Sequence, residues 1–114
     1  MRAAQVALLG ALASQVPGLR AELDEHLADN DGEILPHPLM SACERWAETA
    51  LEAGDPSLDS FLEFLEDAYQ HGGSDVEELI SVSFSEHVPR PGEPGADLRT
   101  RVGPTLARQL EVIG

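Results

Sequence analysis

The chain has 114 residues, enough for one small core and too few for two. Asp and Glu number 21 against 7 basic residues, every one of them Arg, and the net charge of −14 excludes a general binder of phosphate backbones. An apolar content of 42% exceeds that of a disordered acidic tail, so a folded single domain spanning residues 1–114 is expected.

The first predicted helix runs from Ala3 to Ala13. Val6, Leu8, Leu9 and Leu12 make it apolar nearly all round, which places it centrally in the fold. Arg2 and the Ala11-Leu12-Ala13 triplet imitate a secretory signal, but Gln5 and Gly10 interrupt the run and only one charge precedes it. A buried first helix in a cytoplasmic protein is the expectation, and no apolar run is long enough to span a bilayer.

Pro17 opens a second helix in which Leu19, Leu23 and Leu27 recur one turn apart, with Arg20, Glu22, Asp24 and Glu25 outward. Asn30-Asp31-Gly32 stops it. Pro38 starts a third helix whose stripe includes Leu39, Met40, Cys43, Trp46, Ala47 and Ala50, ended by Gly54. Asp55-Pro56 caps and starts a fourth, carried by Leu58, Phe61, Leu62, Leu65 and Tyr69 up to Gly72-Gly73.

Ser74-Asp75-Val76-Glu77 has the form of a capping box, with Val76, Leu79, Ile80 and Phe84 continuing the helix. Alternation over Ser81–Ser85 also fits a strand, but the cap and Glu77-Glu78-Leu79 favour helix. After the Pro- and Gly-rich loop 89–95, a short helix within 96–102 and a last one from Pro104, with Leu106, Leu110 and Ile113 inward, complete the chain. The predicted fold class is all-α, a compact bundle or helical-repeat-like stack of five to six short antiparallel helices.

Charge is unevenly placed. Residues 21–87 hold 18 of the acids and Arg45 as their single base, while both ends are slightly positive. Such a surface either keeps the chain soluble or steers it toward a basic partner. The densest stretch is His26 to His37, where Asp29, Asp31 and Glu33 crowd a helix C-terminus that already carries negative partial charge. An EF-hand is rejected, because with Gly32 at loop position six the first and twelfth positions fall on Leu27 and Pro38. His26, Asp31 and His37 have the donor types of a transition-metal site, although the plainer reading is a polar turn.

Nucleophilic chemistry has no support. Cys43 lies on an apolar stripe and reads as a small buried hydrophobe, and with no second Cys there is no disulfide and no Cys-only zinc site. Ser81, Ser83 and Ser85 near His87 have no nucleophile elbow. Glu63, Glu66 and Asp67 read as the wet face of the fourth helix. No cofactor is expected and the chain is read as not an enzyme. Phe64 and Val82 lie off their helices' stripes, either as interface anchors or as part of a wide buried face.

Two stretches, His26 to Met40 and Ser81 to Pro89 with Gly103-Pro104 downstream, resemble an uncharacterised bacterial, chiefly actinobacterial, domain family of small acidic helical proteins, in which a block like Asp29-Asn30-Asp31-Gly32-Glu33-Ile34-Leu35-Pro36-His37 is followed by one like Ser83-Phe84-Ser85-Glu86-His87-Val88-Pro89, the likeness covering most of residues 19–106. That family has no established activity to carry over, but its size and charge are similar to those of immunity proteins. The expectation is a non-enzymatic interaction module of immunity or inhibitor type, binding a basic protein through Glu22, Asp29, Asp31, Glu33 and Phe64, with no nucleic acid and no membrane. The alternative is a small-ligand or metal-binding domain using the 26–37 loop. A homodimer is the third reading.

Overall fold

Proline and glycine set the helix boundaries. In the computed structural model, which describes residues 2–113, α1 (Arg2–Gln15) ends where Val16 turns extended before Pro17. A 3-10 turn, Pro17–Leu19, leads into α2 (Arg20–Asp29). The third helix, α3 (Pro36–Ala53), starts two residues earlier than Pro38 predicts. Leu35 is extended ahead of Pro36, and both prolines fit the first turn, whose amides have no acceptor within the helix.

The junction of α3 with α4 (Ser57–His71) follows local rules. Gly54 sits in the left-handed region at φ 69°, the Asp55 amide donates to the Ala50 carbonyl and the Gly54 amide to that of Leu51. The Asp55 carboxylate then accepts from the Ser57 amide (2.9 Å) and hydroxyl (2.5 Å), which hold it below its ordinary range. The capping box expected at α5 (Ser74–Ser83) does not form. Gly73, at φ 86°, turns the chain one residue early, so Ser74 is already helical and the Glu77 amide donates to the Gly73 carbonyl.

The Ser81–Ser83 stretch is the end of α5, and after a turn at Phe84 a second 3-10 turn, Ser85–His87, follows, with a third over Ala96–Thr100 ahead of α6 (Pro104–Ile113). No strand occurs among the described residues, and the fold is an all-α bundle. Nor is any helix among them long and apolar enough to cross a membrane.

α5 packs on α3, α1 and α4, while α6 packs on α4 and the Ser85–His87 turn. Phe61 is fully buried between the rings of Trp46 (centroids 5.5 Å apart) and Phe84 (5.8 Å), both edge-on. Three expectations need correction. α1 packs on α3, α4 and α5 but is not buried all round: Gln5, Leu9, Leu12 and Ala13 are buried while Ala3, Ala7 and Ala11 face outward. α2 lies on the surface with no buried residue. Ile113, one turn past the buried Leu110 and the last residue of α6, is exposed.

The helix α6 gets its cap from another element. Gly103 offers no side chain, and the Glu66 carboxylate of α4 fills that space, accepting from the amides of Thr105 (2.9 Å) and Leu106 (3.0 Å). A Cβ on Gly103 would lie 2.6 Å from Glu66 Cδ. Burial pushes the Glu66 carboxyl up, but bonds from Leu106, Thr105 and Gln70 outweigh it and hold it below its ordinary range. Glu66 is therefore a cap, not simply wet face. At the other end of α6, the Arg99 guanidinium donates to the carbonyls of Leu110 and Pro89, tying the proline-rich loop to a helix C-terminus.

Candidate partner-binding surface

The turn from α2 to α3 is held by a short set of hydrogen bonds. Asp31 (φ 54°) and Gly32 (φ 80°) both adopt left-handed backbone, which Asp tolerates better than most residues. This reversal brings the Gly32 amide to the Leu27 carbonyl (2.7 Å) and the Glu33 amide to that of Asn30 (3.0 Å). The Asn30 side chain donates back to the His26 carbonyl (2.8 Å). Nε2 of His26 accepts from the Leu35 amide (2.9 Å), closing the segment immediately before α3.

A cleft opens on each side of this turn. Toward α3, Glu22, Glu25, His26 and Asp29 line one wall of a cleft of about 370 Å³, with Arg45 and Ala42 opposite. Their spacing puts all four on one helical face, and Asp29 adds its charge where the α2 carbonyls end. Glu22 is close enough to Cys43 to assist burial in pushing its thiol up to about 12. Toward α1, Val6, Ala7, Leu27 and Ile34 line an open apolar cleft of about 700 Å³, with Glu33 at its edge.

Of the residues expected at a binding site, Glu22, His26 and Asp29 meet in the acidic cleft, Asp31 is exposed on the turn, and Glu33 borders the apolar cleft. Phe64 does not join them. It lies on α4, half-buried and packed on the core, because the bundle covers a wider face of α4 than one stripe. His37 is also elsewhere: its Nδ1 is 2.6 Å from Ser83 Oγ, and its Nε2 is 3.5 Å from a Glu78 carboxylate oxygen. His26, Asp31 and His37 are thus not brought together, and the Nε2 lone pair of His26 is already used by Leu35. Among the described residues no group of three or more His, Cys, Asp or Glu could hold a metal ion.

Two features escape a reading of the chain by helix face. Ser83 is buried at the end of α5, and its hydroxyl joins α5 to α3 through His37. Gln109 of α6 likewise bridges the hydroxyls of Ser81 and Ser85. The second is Glu44, 1% exposed on the apolar side of α3. Its Oε2 finds no donor among the described residues, and burial, then a hydrogen bond and like charge from Glu48, raise its carboxyl to about 9 against the weaker pull of Arg45. The signal was present in the chain: Glu44 falls four residues after Met40 and three before Ala47, inside the stripe.

One protein family, described as a domain of unknown function (DUF7674), matches residues 9–111. No curated protein and no solved structure matches the chain.

Proposed function

The chain belongs to the DUF7674 family, of unknown function, and from the paired clefts we propose that it is a non-enzymatic interaction module that binds a basic protein. The observation carrying this reading is the adjacency of two surfaces around one turn: a carboxylate-lined face of α2 and an apolar cleft against α1. Apolar area supplies affinity, and a field of one sign speeds encounter and selects against acidic partners. Glu22, Glu25 and Asp29 meet Arg or Lys of the partner, and Val6, Leu27 and Ile34 take an apolar anchor. In this reading the protein is a bacterial, cytoplasmic, immunity-type inhibitor that covers the basic catalytic cleft of its target.

The test is capture of the partner from host lysate, followed by titration of the purified pair with wild type and with Glu22→Gln/Glu25→Gln/Asp29→Asn. Wild type binds a basic protein at about 50 mM salt and loses at least about tenfold in affinity at about 500 mM, and the variant loses a similar factor at low salt. A complex indifferent to both salt and the substitutions removes the acidic face from the interface. A second reading, a small apolar ligand in the α1 cleft, rests on that cleft's lining. A thermal shift with such a ligand, abolished by Ile34→Glu, would select it.

A further inference from the structure

We propose that His26 is a proton-operated latch, in which protonation of its imidazole frees the Leu35 amide on the approach to α3.

Direction is the first ground. The Leu35 amide can only donate, so at 2.9 Å the ring must present a lone pair at Nε2 and carry its single proton on Nδ1. A second proton has one place to go, Nε2, where it would set a donor against a donor. The imidazolium cannot keep this bond.

The surroundings are the second. His26 lines the acidic cleft with Glu22, Glu25 and Asp29 of its own helix, and Arg45 faces it from α3. The turn adds Asp31 and Glu33, and α1 carries no titratable side chain from Ala3 to Gln15. His37 is turned away to Ser83 and Glu78. Imidazole is the side chain whose ordinary change of charge falls between about pH 5 and pH 8.

The reach of the latch follows from the remaining bonds. Gly32 to Leu27, Glu33 to Asn30 and Asn30 to His26 do not involve the ring, so the turn as far as Glu33 stays closed. What the proton releases is the Leu35 amide, next to Ile34, which walls the apolar cleft. A proton taken up beside one cleft thus frees a backbone amide at the border of the other. The latch is a property of the protein alone and does not depend on the partner proposed above.

The test is amide exchange and imidazole titration by NMR on the isolated protein from about pH 8 to about pH 5. Protection of the Leu35 amide, corrected for intrinsic exchange, falls at least about tenfold across the His26 titration while the Gly32 amide stays protected. In His26→Leu the Leu35 amide is unprotected at every pH with Gly32 unchanged. Should that variant not fold, His37→Gln, which keeps the latch, retains the wild-type transition. A Leu35 amide protected on both sides of the His26 titration overturns the proposal, as does a transition that follows another histidine or a ring that stays neutral throughout.

Discussion

Glu44 and Glu48 sit one turn apart on α3, and the buried Glu44 carboxyl has the Glu48 carboxylate as its hydrogen-bond partner. Two carboxylates joined in this way need one proton between them. The folded chain holds it where the unfolded chain releases it above about pH 4.5. Stability from this source is complete below that value and declines as pH rises toward about 9. Glu44→Gln copies the protonated acid and should escape the decline. Between about pH 5 and pH 8 wild type should lose up to about 3 kcal/mol relative to the variant in urea unfolding. Parallel pH profiles would mean the proton is not held there.

Replacing Glu66 by Ala removes both acceptors at the start of α6. The expected loss is about 1–2 kcal/mol, and faster exchange at the Thr105 and Leu106 amides would localise it. Unchanged exchange there would show that water replaces the cap without cost.

Gly18 is required by a close approach rather than by its own backbone angle. A Cβ would lie 2.8 Å from Trp46 Cζ2 and 2.9 Å from its Nε1. Gly18→Ala should therefore push the indole from its edge-on contact with Phe61, at about 1–3 kcal/mol. Trp46 is the only tryptophan, so its emission reports the displacement directly. A stable variant with unshifted emission would show that the Pro17–Leu19 turn yields instead.

Neutralising the face of α2 should stabilise the protein while weakening any complex it forms. Glu22, Glu25 and Asp29 repel one another at helical spacing, a cost of a few tenths of a kcal/mol per pair at low salt. Glu22→Gln/Glu25→Gln/Asp29→Asn should melt a few degrees higher than wild type at low ionic strength. The gap should close at about 0.5 M salt. A variant that melts lower would mean these carboxylates make contacts that stabilise the fold.

What the chain reveals by itself depends on distance along it. The Gly54-Asp55-Pro56 junction was legible, because its bonds run between residues at most five apart. So was the acidic turn, with Asn30-Asp31-Gly32 giving a reversal where one exists. The cap on α6 was not, since Glu66 is 39 residues from Thr105 and looks like one more surface acid on α4. His26 and His37 were visible as unusual residues in the right segment. Their partners, a backbone amide for one and a buried serine for the other, leave no trace in composition or periodicity. Which of the two readings of Phe64 its position off the stripe supports is not visible in the chain either, because the width of a buried face depends on how many neighbours a helix has, and here Phe64 packs partly buried against the core.

Cys43 is buried on α3 and its thiol is held up to about 12, so the nucleophilic thiolate is almost absent while the chain is folded. Because it is the single cysteine, alkylation of this protein is a count of opening events. A label added for a fixed time at neutral pH marks only molecules that have exposed the interior of α3. Nature has thus left a one-site chemical clock in the core, against which each substitution above can be timed without adding a probe.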